Sequence, residues 1–241
     1  MRPRVVLVHG SATDRTTWSI QLRSSALNRF ELVAPDRDYT HTNTVEQHAA
    51  DLAAVIGTGP VLVVGSSFGA VIVLEVARTR PELVAGAVLI EPPMPPSDDS
   101  TLASAQRAFY EEFERRVAAD GGPAAGEFFL STVLGPEAFA RIPPTFRERS
   151  RARWAEIRAD SLALVAYRPR YLELRTCTVP MLLLGGERSA PLFMPTLEAL
   201  AAVLPDAELV TIPNAGHMLQ AEAPRRFAEL LIGFAAEVGI G

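Results

Sequence analysis

The sequence predicts an α/β protein built on a mostly parallel, doubly wound sheet of about six strands. Short apolar runs rich in Val, Ile and Leu are typical of strands buried on both faces, and they occur at residues 4–8, 31–34, 60–65, 85–90, 179–184 and 207–212. Amphipathic helical segments lie between most of them, around residues 15–28, 44–56, 67–80, 191–204 and 221–237. This alternation indicates right-handed crossovers that place all strand C-termini at one edge, where open α/β sheets bind ligands.

A long segment interrupts the alternation between the fourth and fifth strand runs. It opens with Pro92-Pro93-Met94-Pro95-Pro96 and continues with helical patterns around residues 99–119, 123–134, 144–159 and 160–175. We therefore expect a core of residues 1–91 and 177–241 and a helical cap, or lid, of residues 92–176. Most large aromatic residues of this cap are expected to fill its own interior and a minority to face a cavity, and spacing does not say which; they are Phe109, Phe113, Phe128, Phe129, Phe139, Phe146, Trp154 and Tyr167.

Composition excludes several classes of function. The chain has 241 residues, 48% of them hydrophobic, which is enough for one large core. A net charge of −5 provides no basic surface, so a nucleic-acid partner is disfavoured. All 23 basic residues are Arg, which removes any mechanism based on a lysine nucleophile.

Other patterns bear on location and cofactors. Residues 1–10 lack a signal-peptide pattern, and no run approaches the roughly 20 apolar residues of a membrane span, so we expect a cytoplasmic protein without a membrane partner. The single cysteine, Cys177, is expected to be a buried filler rather than a nucleophile. No H-x-x-x-H or clustered Cys/His set occurs, so we expect neither a metal nor a cofactor. The sequence leaves the oligomeric state open, with a homodimer among the alternatives.

The most informative stretch of the chain is residues 61–74. An apolar, β-branched run meets the turn Gly65-Ser66-Ser67-Phe68-Gly69 and passes directly into a helical pattern. A G-x-S-x-G pentapeptide at such a turn is typical of a strained serine nucleophile whose flanking glycines leave room for the bend. The following helix also points N–H groups and its positive dipole end at any oxyanion formed there. Taken alone, the pentapeptide is a weak signal, because Ser66-Ser67 can also be an N-cap pair at the start of an ordinary helix.

A histidine suited to activate Ser67 follows 150 residues later, in the segment Asn214-Ala215-Gly216-His217-Met218. A serine hydroxyl needs a hydrogen-bonded base, and neutral imidazole can accept its proton near pH 7 and return it to a leaving group. A second histidine, His9, ends the first strand run and precedes Gly10.

Four motifs follow one another along the chain: LVHGSA, GSSFG, LLLGGE and NAGHMLQAEAP. In these motifs and their order, the chain resembles the α/β-hydrolase fold family over essentially its whole length, in the serine hydrolase branch with a helical lid. The resemblance implies Ser67 as nucleophile, His217 as base and a structural role for His9. It also implies that the backbone N–H groups of Phe68 and Ser11 form the oxyanion hole. We expect the family's usual N-terminal antiparallel hairpin to be missing, because Met1 lies only a few residues before the first strand run.

The acid that orients His217 departs from the family pattern. The family places an Asp after the strand that ends here at Leu184-Gly185-Gly186, but Ser189 occupies that position. Two carboxylates can compensate: Glu91, which follows the fourth strand run, and Glu187. We favour Glu91, since a carboxylate at a strand end can point into the crevice at the sheet edge, and keep Glu187 as the alternative.

The resemblance implies a serine hydrolase that cleaves a carboxylic ester, thioester or lactone of a small apolar substrate through an acyl-enzyme on Ser67. Family members with an Asp nucleophile, the haloalkane dehalogenases and epoxide hydrolases, are disfavoured because residue 67 is Ser. Two alternatives remain: a non-hydrolytic enzyme of the same fold, such as a lyase or isomerase, and a ligand-binding protein on a disabled scaffold. Fold resemblance does not separate them, because the fold hosts many functions.

Overall fold

The computed structural model describes residues 2–40, 43–97, 100–168 and 171–241. Its centre is a six-stranded sheet in the order β2-β1-β3-β4-β5-β6, and every neighbouring pair is parallel. The prediction of an α/β fold with a parallel sheet of six strands is confirmed. The strands are β1 Arg4–Val8, β2 Glu31–Val33, β3 Val61–Ser66, β4 Val84–Ile90, β5 Met181–Gly186 and β6 Ala207–Ile212.

The sheet carries a separate apolar core on each face. Because successive side chains of a strand point to opposite faces, Val63 and Leu183 pack in one core while Val64 and Leu184 pack in the other. The helices are α1 Ser19–Leu22, α2 Val45–Ile56, α3 Phe68–Thr79, α4 Ser100–Asp120, α5 Gly122–Leu134, α6 Pro136–Arg141, α7 Pro144–Ala152, α8 Trp154–Ala166, α9 Tyr171–Leu174, α10 Met194–Val203, α11 Leu219–Glu222 and α12 Pro224–Glu237. Helices α2, α3 and α10 contribute to the first core, and α11 and α12 to the second. The sheet is therefore doubly wound.

The helix expected at residues 15–28 is not continuous. The chain forms short 3₁₀ turns at Arg15–Trp18 and Ser25–Leu27 on either side of α1. Ser24 adopts an extended conformation between them, with φ −75° and ψ 119°, which ends the helical path. Trp18 and Leu27 are nevertheless both buried against the sheet, so the apolar spacing reports burial rather than one long helix.

Between β4 and β5 the described residues form helices α4–α9, which we call the inserted helices. They have a small apolar core of their own around Phe113 and Ile157. The pattern expected at 144–159 is divided by Arg153, whose guanidinium bonds Asp14 of the β1–α1 loop at 2.6 Å, and α8 then continues to Ala166. None of the described helices is both long and apolar enough to cross a membrane. The division into core and cap stays a prediction.

Candidate active site

Ser67 lies at the turn between β3 and α3 and adopts φ +54°. A non-glycine residue in this region is strained by about 1–3 kcal/mol, which is typical of functional sites. The turn closes only because its two glycines lack side chains. A Cβ on Gly65 would lie 2.4 Å from the Gly69 carbonyl oxygen, and one on Gly69 would lie 2.5 Å from that of Val8. The Ser67 N–H donates to the Ile90 carbonyl at 2.7 Å, so the turn is fixed to the end of β4.

The residue after Ile90 is Glu91, which meets His217 at the same sheet edge. Glu91 Oε2 lies 2.6 Å from His217 Nδ1, and Glu91 Oε1 accepts the Gly186 N–H at 2.7 Å. Glu91 is 1% exposed and, like Ser67, has a positive φ, +45°. Both carboxylate oxygens are thus hydrogen-bonded, which holds the carboxylate in one orientation toward the imidazole.

The imidazole of His217 is also held on its face. The Phe193 ring stacks on it with a centroid separation of 4.3 Å and an interplanar angle of 11°. His217, Ser67 and Ser11 together line a small cavity of about 30 Å³. Such a volume suits one water molecule or a single reacting group. The structure therefore brings the expected nucleophile, base and oxyanion-hole loop to one point.

The loop after β1 contributes the other wall of this cavity. The Gly10 carbonyl accepts three hydrogen bonds, from His9 Nδ1 at 2.9 Å, Thr13 Oγ1 at 3.2 Å and Arg37 Nη2 at 3.1 Å. The Arg37 backbone N–H donates to His9 Nε2 at 3.2 Å, so Nδ1 carries the proton of the neutral ring. Burial, with the nearby Arg37 charge, lowers the pKa of His9 to about 4 and keeps it neutral. His9 is a structural hydrogen-bonding residue in this geometry.

A buried ion pair that sequence reasoning missed lies behind this loop. Arg37 and Asp160 form a two-point contact, with N–O distances of 2.7 and 2.9 Å, and their side chains are 4% and 1% exposed. Asp160 also accepts hydrogen bonds from the Ser11 hydroxyl at 2.6 Å and the Tyr39 hydroxyl at 3.2 Å. Burial opposes the charge of Arg37, but Asp160 raises its pKa above the ordinary value. The Arg37 guanidinium also lies 4.8 Å from the centre of the Phe68 ring.

A larger cavity of about 330 Å³ adjoins Ser67, between the sheet edge and the inserted helices. Its walls are mostly apolar and include Phe109 of α4, Phe129 of α5, Leu164 of α8 and the proline-rich segment 93–96. Among the described residues, no charged side chain lines it. Of the eight aromatic residues noted in this segment, Phe109 and Phe129 thus face the cavity, whereas Phe113 is buried among the inserted helices.

The comparisons with known proteins agree with this architecture. A model of the alpha/beta hydrolase family matches residues 5–230, which is nearly the whole chain. The chain belongs to the alpha/beta hydrolase family. The expectation of an α/β-fold hydrolase is confirmed, and the family relationship accounts for the order of strand, serine turn, inserted helices and histidine loop.

Individual relatives in the family carry different activities. The chain is 24% identical over 222 residues to a pimeloyl-[acyl-carrier protein] methyl ester esterase of Stenotrophomonas maltophilia, covering 89% of this chain and 86% of that protein. It is 27% identical over 252 residues to haloalkane dehalogenase 2 of Mycobacterium tuberculosis, covering 95% and 87%. The solved structure of a thermophilic esterase from Thermogutta terrifontis superposes with a TM-score of 0.78, at 26% identity and covering 98% of this chain and 90% of that one. Esterases and haloalkane dehalogenases are both hydrolases, so hydrolase activity is what these relatives have in common.

The alternative acid, Glu187, and the residue at the family's usual Asp position, Ser189, lie elsewhere in this hydrolase. Glu187, the alternative acid, is exposed and accepts the Asn214 backbone N–H at 2.8 Å, so it fixes the loop that precedes His217. Ser189 is partly buried at the position where an Asp is usual, and no partner for its hydroxyl occurs among the described residues. The geometry therefore joins His217 to Glu91. The catalytic roles of Ser67, His217, Glu91, Ser11 and Phe68 stay predictions.

One available signal would have found Arg37. It follows β2 by four positions, and the rule that strand C-termini converge at one edge applies to that loop as it does to Ser67 and Glu91. No such signal marked Asp160, because a carboxylate in the middle of a helix is usually a residue of the solvent-exposed face. Its partners Arg37 and Ser11 lie 123 and 149 positions away in the chain.

Proposed function

We propose that this protein is a serine hydrolase that cleaves a carboxylic ester, thioester or lactone of a small apolar substrate through an acyl-enzyme on Ser67. The observation that carries the proposal is the 2.6 Å contact of Glu91 with His217 beside a cavity that the imidazole shares with Ser67. A carboxylate on Nδ1 leaves Nε2 as the nitrogen that exchanges protons, which is the arrangement a serine nucleophile requires.

The steps follow from these positions. Ser67 Oγ attacks the substrate carbonyl while His217 Nε2 accepts its proton, and Glu91 stabilises the imidazolium that results. The N–H groups of Ser11 and Phe68 stabilise the tetrahedral oxyanion, and collapse expels the alcohol or thiol, which takes the proton from His217. Water then attacks the acyl-enzyme with the same assistance. The acid is released and Ser67 is restored.

The larger cavity supports a small, neutral and apolar substrate. Its volume of about 330 Å³ lies at the lower end of the range of roughly 300–1,000 Å³ typical of small-molecule pockets, and its walls carry no charge among the described residues. We propose that the inserted helices act as the cap of this site and exclude water from it. The esterase activities named for two of the relatives support ester chemistry, whereas dehalogenation requires a nucleophile that Ser67 does not provide.

Activated esters test the proposal. We expect the wild-type protein to hydrolyse p-nitrophenyl acetate or butyrate with a burst of p-nitrophenol, and Ser67→Ala to lose at least ~10³-fold in kcat. A fluorophosphonate probe should label Ser67, as mass spectrometry of the labelled peptide will show. A protein that gives neither a burst nor labelling of Ser67 is instead a binding protein on this scaffold. Labelling of Ser67 without ester turnover indicates a non-hydrolytic enzyme.

A further inference from the structure

The two predicted oxyanion donors share a supporting structure outside the catalytic residues. Ser11 donates its hydroxyl to Asp160, and the Phe68 ring lies under the Arg37 guanidinium. Arg37 also donates to the Gly10 carbonyl while it pairs with Asp160. One buried ion pair thus contacts both sides of the proposed oxyanion hole without lining either cavity.

Peptide geometry gives these contacts a consequence for the oxyanion hole. The Gly10 carbonyl and the Ser11 N–H belong to one planar trans peptide, so they point in opposite directions. Arg37 and His9 donate hydrogen bonds to the Gly10 carbonyl, on one side of this peptide. On the other side, the Ser11 hydroxyl donates to Asp160 and restrains the residue that carries the N–H. Rotation of the Ser11 N–H would break at least two hydrogen bonds to buried groups, one of them charged.

We propose that Arg37 and Asp160 are positioning residues, which fix the direction of the Ser11 N–H and thereby set the stabilisation of the oxyanion. This inference rests on the proposed serine hydrolase function. Asp160 belongs to α8, whereas Ser11 and Arg37 belong to loops of the sheet edge. Through Asp160, the inserted helices therefore contribute to the oxyanion hole as well as to the substrate cavity.

The same helix offers a matched control. At the C-terminal end of α8, the Tyr167 hydroxyl donates to buried Glu75 of α3 at 2.9 Å. This contact also ties the inserted helices to the helices of the sheet through a buried carboxylate, but it involves neither Gly10 nor Ser11. Glu75 keeps its two-point pairing with Arg78 when the tyrosine hydroxyl is removed. Tyr167→Phe thus weakens the anchoring of α8 without touching the peptide that carries the donor.

The test compares Asp160→Asn with Tyr167→Phe in steady-state hydrolysis of p-nitrophenyl butyrate, with thermal unfolding as the measure of folding. We expect Asp160→Asn to lower kcat by about 10- to 100-fold with KM within about threefold, because the loss is confined to the transition state. The second-order rate of Ser67 phosphonylation should fall by a similar factor, since the phosphoryl oxygen occupies the same hole. Tyr167→Phe should lower Tm but keep kcat within about twofold.

Two results overturn the inference: Asp160→Asn with the kcat of the wild type, or Tyr167→Phe with the same loss of kcat as Asp160→Asn. Should Asp160→Asn fail to fold, Ser11→Ala replaces it, because this variant keeps the ion pair and the backbone N–H and removes only the hydroxyl restraint. A folded Ser11→Ala with unchanged kcat also overturns the inference, and a several-fold lower kcat at constant KM supports it. If wild type shows no activity that depends on Ser67, the proposed function fails and this inference fails with it; normal wild-type activity with unaffected variants refutes the inference alone.

Discussion

Glu91 and Asp160 are both carboxylates with 1% exposure, and each is hydrogen-bonded to a residue that lines the small cavity, His217 for Glu91 and Ser11 for Asp160. They differ in the charge that faces them. Asp160 is paired with Arg37, a cation at every accessible pH, and accepts two further hydroxyl hydrogen bonds. Glu91 faces the imidazole of His217 and a backbone N–H. A buried charge is costly unless it is compensated, and only Asp160 has permanent compensation by a full countercharge.

The difference separates a positioning role from a catalytic one. A carboxylate with a permanent partner gains nothing when the reaction charges a neighbouring group, so it serves to hold atoms in place. A carboxylate beside a base gains an ionic partner only when that base accepts a proton, so it lowers the energy of the charged intermediate. The predictions below test this distinction between the Glu91 and Asp160 regions.

Glu91→Gln is expected to have the largest effect. The amide keeps the shape of the side chain but neither fixes the tautomer nor stabilises the imidazolium, so kcat should fall by about 10³–10⁴-fold. Circular dichroism and Tm should stay near wild type. Glu187→Gln is the matched control, since this exposed residue accepts the Asn214 backbone N–H, a hydrogen bond that the amide oxygen of Gln can also accept, and its kcat should be unchanged. The opposite pattern, an inactive Glu187→Gln and an active Glu91→Gln, would assign the acid to Glu187.

The next largest effect is expected on the free energy of unfolding of the variants Arg37→Met and Asp160→Leu, compared with each other and with the double variant in a double-mutant cycle. Each single change leaves one buried charge unpaired and should cost about 3–5 kcal/mol. The double variant removes both charges, so its loss should be smaller than the sum of the two. Its kcat should stay low because the Gly10 carbonyl has lost Arg37, and urea unfolding with steady-state kinetics measures both quantities. Additive losses in stability would show that the two side chains do not act as a pair.

The smallest effect concerns His9 and pH. Its pKa is about 4 in the folded protein against an ordinary 6.5, so between these values the unfolded chain binds more protons. The contribution of His9 to the free energy of unfolding is therefore highest above pH 6.5. It falls by roughly 3 kcal/mol in total as the pH is lowered toward 4, below which His9 is protonated in the folded protein too. His9→Asn keeps a donor near Gly10 but does not titrate, so urea unfolding at pH 4.5 and 7 should show a smaller difference than in wild type. An equal difference would mean that other groups cause the dependence.

Much of the core could be predicted because it depends on local pattern. The apolar runs that gave the six strands reflect burial on both faces, and the G-x-S-x-G pentapeptide reflects a turn with no room for side chains at Gly65 and Gly69. Glu91 was favoured over Glu187 for its place after a strand, and the structure brings its carboxylate into contact with His217. The apolar spacing predicted the wrong helix lengths at two places. At residues 15–28 the buried side chains belong to short separate turns, and at Arg153 the pattern expected at 144–159 is divided between two helices.

Taken by itself, the sequence determined the parallel sheet, the strained turn at Ser67 and the edge where the polar residues converge, because each follows from contacts within a few residues or from the handedness of crossovers. Only the tertiary structure decided which carboxylate reaches the imidazole and which one holds the loop after β1. The Asp160–Ser11 contact joins residues 149 positions apart, and it depends on how α8 docks against the sheet edge. Docking is set by the packing of many side chains at once, so no single segment encodes it.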